Sequence, residues 1–477
     1  MIFKFLSVYD VLNWIDANLV WGIPLIVLIL VVGIWLTSRL GGLQIFKVGR
    51  SLKAMVNNSS EGQGEVSTFG ALCISMAATL GTGKIIGVAT GIYWGGPGAL
   101  FWMIIAAIFG MATKYAEGFL AVKYRNVNAD GSVSGGPFAY IENGMGKKWS
   151  WLAKFFCIFG ALAGALGIGT MTQINSITES VNSVFDPNAI NTINVFGNNL
   201  PLVGIIVGLI VTIVYAFALI GGINRISKVS AIIVPVMAIG FFLVSFLVVL
   251  FNIPSIPSAI ATILKDAFTL KAGLGATAGI GIMIAMREGV SKGIFSNEAG
   301  LGSAPIVIAS GKSNDPVEQG LVCMGSTFID TMVLCLTIGL GVVITGTYQD
   351  YEGIDITINT FSLGLHISKE FSAVIVMLCI FTFAFTTIIG WNVYGEKCVD
   401  YLFKGSKKAV FIYKIFYITA VAIAPFLTLN VIWKIASICN GLMALPNLIA
   451  ILVLSGVVVK ETKEYFKKEK EEKVSSN

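Results

Sequence analysis

Long apolar stretches alternate with short polar connections along almost the whole chain. A helix needs about 20 apolar residues to span the hydrocarbon of a bilayer, and on that measure the pattern predicts about eleven spans. They fall near 18–38, 67–93, 98–122, 151–183, 200–220, 229–251, 267–286, 317–345, 371–396, 410–428 and 431–459. Two stretches carry glycine at matching places. Thr68–Trp94 is interrupted at Leu80, Gly81, Thr82 and Gly83, and Phe268–Met286 carries Gly273, Gly275, Gly279 and Gly281. Glycine in a membrane-length helix exposes unpaired N–H and C=O groups that hydrocarbon cannot satisfy, so each interruption is expected to line a polar cavity at mid-depth. The helices after the first divide into 67–251 and 267–459, each opened by its interrupted helix. An odd number per half makes the second cross the membrane in the opposite sense, as in transporters built from inverted repeats. The predicted fold is thus an all-α polytopic membrane protein. A single transport domain fills 1–477: an extra N-terminal helix at 18–38, five helices plus five in inverted repeat with two discontinuous helices, and a charged tail at 460–477.

Composition agrees, with 56% hydrophobic and 12% charged residues where a water-soluble globule carries about 25% charged. The net charge of +6 does not indicate nucleic acid, because the basic residues are dispersed among short connections and report topology. With the N-terminus outside, Arg39, Lys47, Arg50, Lys114, Lys123, Arg125, Lys147, Arg225, Arg287, Lys292, Lys397 and Lys404 fall on the cytoplasmic side along with the lysines of the tail. The outer side keeps only Lys4, Lys265, Lys271, Lys369 and Lys434 against Asp186, Asp350, Glu352, Asp355 and Glu370. This bias predicts N-out, C-in, in a cell (inner) membrane. Asp10 and Asp16 precede the run Leu19–Leu36, with Lys4 the sole basic residue, so no cleaved leader is expected. The seven cysteines lie in apolar runs without paired spacing and indicate neither disulfides nor zinc. The longest cytoplasmic connections are Gly41–Ser67, Lys123–Trp149 and Glu288–Pro316, and the Lys/Glu-rich tail is expected to be a solvated or frayed helix.

Enzyme motifs fail in turn. Gly81-Thr82-Gly83-Lys84 has Ala78 where a phosphate-binding loop needs its first glycine and Ile85 where it needs Ser or Thr. The glycines Gly275–Gly281 follow no strand, and the only histidine, His366, falls on an outer loop. Transport fits better. At Gly81–Gly83 one half-helix begins with free N–H groups suited to a carboxylate, and the other ends in carbonyls suited to a small cation. Thr82 can add a hydroxyl. Gln173, Asn175, Thr382, Thr386, Thr387, Trp391 and Asn392 are polar positions elsewhere in the spans, with Thr387 and Trp391 on one helix face. Lys84, Glu117, Glu179 and Asp330 are the ionisable candidates. Glu117 and Glu179 sit near span ends, where solvated carboxylates are expected. Asp330 sits mid-span, where it must be paired, protonated or wetted, and Lys84 is expected to reach the cavity or a carboxylate such as Asp330.

Gly95-Gly96-Pro97-Gly98-Ala99-Leu100-Phe101-Trp102-Met103, Gly81-Thr82-Gly83, Thr113-Lys114-Tyr115-Ala116-Glu117, Gly135-Gly136-Pro137 and Gly293-Ile294-Phe295-Ser296-Asn297-Glu298-Ala299-Gly300-Leu301-Gly302-Ser303-Ala304 together resemble the alanine/glycine:cation (sodium:alanine) symporter family. The resemblance implies the leucine-transporter-like fold and cation-driven uptake of small neutral amino acids. It implies substrate contacts at Thr82, Gly83, Gln173, the Gly279–Gly281 break, Thr387 and Trp391, with Lys84 beside them. It also implies sodium against Thr386 or Thr387, and Asn297 and Glu298 as cap and inner gate on a cytoplasmic loop. The family usually has Asn after Gly-Thr-Gly, where this chain has Lys84. An ammonium there is able to replace a sodium ion, carry a proton or favour a substrate with a second carboxylate. The coupling ion, sodium or proton, and the oligomeric state stay open on sequence. No cofactor is expected. A channel lacks its charged rings here, and a sensor would keep the binding fold without turnover.

Overall fold

The computed structural model describes residues 8–56, 62–128, 131–195, 198–219, 221–268, 279–427 and 430–475. After a wide π-type turn at Ile15–Val20 come α1 (Ile23–Arg39), α2 (Thr68–Thr79), α3 (Gly83–Gly95), α4 (Gly98–Lys123), α5 (Ser150–Leu166), α6 (Met171–Phe185), α7 (Leu202–Leu219) and α8 (Gly222–Phe251). The second half has α9 (Ile256–Phe268), α10 (Gly279–Asn297), α11 (Ala304–Ile308), α12 (Pro316–Thr345), α13 (Ile354–Leu365), α14 (Lys369–Leu402), α15 (Lys407–Phe426) and α16 (Asn430–Ser475). Among the described residues, nine helices are long and apolar enough to cross a membrane, and the bent pair α2 and α3, at 49° to one another, supplies a tenth.

Local chemistry sets the helix starts. Ser67, Ser368 and Ser406 accept the exposed N–H of Gly70, Phe371 and Ala409, and Asp315 caps α12 by accepting from Val317 and Glu318 ahead of a proline at the first turn. Helix α4 is the hub, packed between α10 and α12. Small residues make that packing possible. A Cβ on Gly118 would lie 2.5 Å from the Cys323 sulfur, and one on Gly289 would lie 2.2 Å from the Ala99 carbonyl oxygen. The opposite surface is apolar: Ile206, Ile213, Phe217, Ile232, Val236 and Ile239 on α7 and α8 stand exposed, as a lipid-facing wall requires.

Four expectations from sequence are corrected. The stretch Glu288–Pro316 is not a loop, since α10 runs to Asn297 and Leu301, Ile306 and Val307 are buried beyond it. Lys114 is not in a connection but buried within α4, and Arg287 and Lys292 line a cavity rather than a cytoplasmic rim. Glu117 is fully buried rather than solvated. The tail is helical to Ser475 and docked: Glu461 pairs with Lys123 at 2.6 Å, and Glu469 with Arg50. Those ion pairs gather the tail against the chain before α2 and the end of α4, where a solvated helix would touch nothing.

Candidate functional site

Three breaks in the main chain meet inside the molecule. The first is Leu80–Thr82, between α2 and α3. There Gly81 packs so tightly that a Cβ on it would lie 3.0 Å from the Thr387 hydroxyl and 3.5 Å from the Gln173 amide nitrogen. The Thr387 hydroxyl donates to the Ala77 carbonyl at 3.0 Å, near the end of α2, and Thr82 donates to Gln173 Oε1 at 3.3 Å. The second break is Gly167–Thr170, between α5 and α6, and Gln173 donates back to its Ile168 carbonyl at 3.0 Å. Trp391 packs here: a Cβ on Gly169 would meet the Trp391 Cβ at 2.5 Å. The Trp391 indole N–H and both amide atoms of Asn392 are buried without a hydrogen-bond partner among the described residues. Thr82, Gln173 and Thr387 therefore come together, and Trp391 lies against the neighbouring break.

The third break is Glu298–Ser303, between α10 and α11. Glu298, Gly300 and Gly302 all take positive φ, at 55°, 88° and 77°, a conformation costly for glutamate and held here by its surroundings. Glu117 on α4 accepts the N–H of Gly300 at 3.0 Å and of Gly302 at 3.2 Å, plus the Asn447 amide at 2.6 Å. The Ser303 hydroxyl donates to Glu298, and the Asn297 oxygen takes the N–H of Ala299 at 2.9 Å. The sequence predicts a break at Gly279–Gly281 and does not single one out at Glu298–Ser303. Gly279 opens α10 and the helix continues through Gly281, which lines a separate pocket with Trp94 and Asp266, while Gly273 and Gly275 lie outside the described residues. Asn297 and Glu298, expected on a cytoplasmic loop, are buried at 3% and 2% exposure.

The first and third breaks touch. A Cβ on Gly83 would lie 3.6 Å from Phe295, and Lys84 donates to the Ser296 carbonyl at 3.2 Å and the Thr79 carbonyl at 2.6 Å. The Lys84 ammonium also stands 2.5 Å from Asp330, and both groups are buried. Each sits on a wide π-type turn, Gly83–Gly87 and Phe328–Cys335, of the kind concentrated at functional sites. Thr386, proposed beside Thr387 as a cation ligand, instead turns its hydroxyl to the Thr382 and Phe383 carbonyls and the sulfur of Met237.

Above these contacts lies a cavity of about 400 Å³, reaching Thr82, Gly83, Asn175 and Phe295 and walled higher up by Glu179, Glu288 and Lys292. The opposite end is shut. Val66 and Gly311 form a parallel bridge, and Arg125 donates to the carbonyls of Gln63, Ala309, Gly311 and Ser313. Lys397 adds an ion pair to Glu65 at 2.5 Å. The molecule thus holds a chamber lined by polar and charged side chains, open at one end and closed at the other.

The sodium:alanine symporter family matches residues 6–477. A Haemophilus influenzae protein described as an uncharacterized transporter is 43% identical over 463 residues, 97% of either chain. The sodium/alanine symporter AgcS of Methanococcus maripaludis is 41% identical over 475 residues, again 97% of each. The probable sodium/glutamine symporter GlnT of Bacillus subtilis is 37% identical over 466 residues, 96% of this chain and 90% of its own. A match over nearly the full length, joined to a buried chamber among interrupted helices, leads to one conclusion: the chain belongs to the sodium:alanine symporter family and is a membrane transport protein, not an enzyme.

Proposed function

We propose that the protein carries a small neutral amino acid such as alanine or glycine across a cell membrane, together with a cation, sodium or proton, by alternating access. The observation that carries this reading is the convergence of the three breaks beneath the chamber. The Thr82–Gly83 turn offers N–H groups at the start of α3 for a substrate carboxylate, and Gln173 and Thr387 stand beside it. A chamber of about 400 Å³ admits an amino acid and several waters. AgcS and GlnT carry alanine and glutamine in their names, and both are neutral amino acids.

In this reading the fold has eleven spans, the one at 18–38 standing ahead of two inverted repeats at 67–251 and 267–459. The N-terminus lies outside and the tail in the cytoplasm, so the conformation is outward-open. Trp391 and Asn392 meet the solute as it descends, and Asn297 and Glu298 serve the inner gate from within the third break rather than from a loop. The cation reaches Thr387 and the Ala77 carbonyl near the end of α2.

Uptake of radiolabelled alanine or glycine into proteoliposomes tests the proposal. An inward cation gradient is expected to drive accumulation, and accumulation that survives collapse of both the sodium and the proton gradients would defeat symport. A thermal-stability screen against twenty amino acids with and without sodium is expected to pick out a small neutral one.

A further inference from the structure

Two helices end where Lys84 begins its reach. The Thr79 carbonyl closes α2, and the Ser296 carbonyl lies one residue from the end of α10. Helix C-termini carry partial negative charge because their last carbonyls lack helical N–H partners. At Ser296 the reason is specific: its helical partner would be the N–H of Gly300, and that N–H is turned away to Glu117. Both carbonyls point to one spot, and the Asp330 carboxylate points to the same spot from α12. The carboxylate is held in place from its other oxygen, which accepts the Thr331 hydroxyl at 2.9 Å and the Ser296 hydroxyl at 3.2 Å. Oxygen atoms from three helices, one of them charged, facing a single buried point without solvent describe a site for a monovalent cation.

We propose that Thr79, Ser296 and Asp330 form a monovalent-cation site joining the two discontinuous helices, and that in this chain the Lys84 ammonium is its permanent occupant. The ammonium makes its contacts at 2.6 Å, 3.2 Å and 2.5 Å, distances at which it fills the spot and leaves no room for an ion. The pair balances its own charge. Without the lysine, Asp330 would be a buried carboxylate with no cation opposite it, a state that demands either a proton or a bound cation. The occupant is thus covalently tethered, and the two breaks stay joined in sodium-free solution. Sodium acts on the native protein at some other position or not at all, and the cation at this junction never dissociates during the cycle. This deepens the transport reading, since it assigns what holds the junction of the proposed site, but its test does not depend on transport.

Thermal unfolding of purified protein in sodium, potassium or choline chloride at equal ionic strength decides it. Lys84→Asn is expected to gain a sodium-dependent rise in Tm of several degrees beyond any wild-type response, and Lys84→Asn with Asp330→Asn is expected to lose that gain. A folded Lys84→Asn with the sodium response of the wild type would overturn the proposal. Should Lys84→Asn not fold in choline, recovery by sodium supports the site. Failure in every salt, while the neutral Lys84→Met/Asp330→Asn pair folds, would overturn it, because Asp330 would then have found no cation. Absence of amino-acid uptake by the wild type would sink the transport reading and leave this result standing.

Discussion

Thr386 and Thr387 are neighbours in sequence with opposite surroundings, and they separate a site residue from a packing residue. Successive helical positions point about 100° apart, so Thr387 meets the end of α2 while Thr386 meets Met237 on α8. Thr387→Ala removes a hydroxyl at the first break and is expected to weaken apparent substrate or cation affinity about tenfold, the equivalent of one hydrogen bond of ~1.4 kcal/mol. Thr386→Ala is expected to stay within about twofold, since its hydroxyl bonds only its own helix and a sulfur. Initial uptake rates across a range of substrate and sodium concentrations check both, and equal effects would show that the break does not hold the ligand. Glycine divides the same way. Gly81→Ala drives a methyl to 3.0 Å from the Thr387 hydroxyl, whereas Gly83→Ala finds its nearest neighbour at 3.6 Å. The first is expected to lower Tm and abolish uptake. The second is expected to fold normally and lose uptake only in proportion to the chamber volume it fills.

At the scale of elements, the third break depends on one carboxylate. Glu117 satisfies two N–H groups that a positive-φ turn cannot bond internally, and it ties them to α4 and, through Asn447, to α16. Glu117→Ala strands these donors in a buried setting and is expected to destabilise the protein by about 3 kcal/mol. Glu117→Gln keeps an acceptor oxygen and is expected to cost less than half as much, and a thermal-melt series shows the ordering. The same element marks the limit of what hydropathy reveals. The first break was legible, because Gly81-Thr82-Gly83 interrupts a strongly apolar run. The second half contains several such spacings, among them Gly279-Ile280-Gly281 and Gly300-Leu301-Gly302. Apolar neighbours favoured the former. The latter sits amid Ser296, Asn297, Glu298 and Ser303, whose polarity reads as a loop because part of what satisfies it is distant in sequence: Ser296 and Asn297 bond Asp330 and Thr331 on α12. Gln173 was visible as a polar residue in a span. That its helix breaks at Gly167–Thr170 was hidden, since a glycine-rich run also suits plain close packing. The charge bias failed locally for a related reason: Lys114, Arg287 and Lys292 are buried or line the chamber, so they do not report a cytoplasmic loop.

For the molecule as a whole, alternating access requires that the closed end open when the chamber shuts, and the closed end shows what must break. The chain before α2 is held to the chain after α11 by the N–H of Glu65 and of Lys312, bonded to the Ser310 and Val66 carbonyls at 2.8 Å each, and by Thr68, bonded to the Lys312 carbonyl at 2.9 Å. Arg125 fastens both strands at once through its four carbonyl contacts, and Lys397 secures Glu65 from α14. These links join the first helix of one half to the interrupted helix of the other, so they resist any rocking of the halves. Hydrogen bonds to a charged group contribute about 1.5–3 kcal/mol each when buried, and every 1.4 kcal/mol moves a two-state equilibrium about tenfold. Arg125→Ala is therefore expected to shift the population toward the opposite-facing state by more than about tenfold. Hydrogen exchange should rise at Glu65, Val66 and Lys312, whose amides the bridge protects, while amides in the middle of α4 stay slow. Apparent affinity for substrate offered at the open side should fall in step, because fewer molecules present the chamber there. Faster exchange at those three amides with no change in affinity would mean that the bolt is a structural joint and that the gate lies elsewhere.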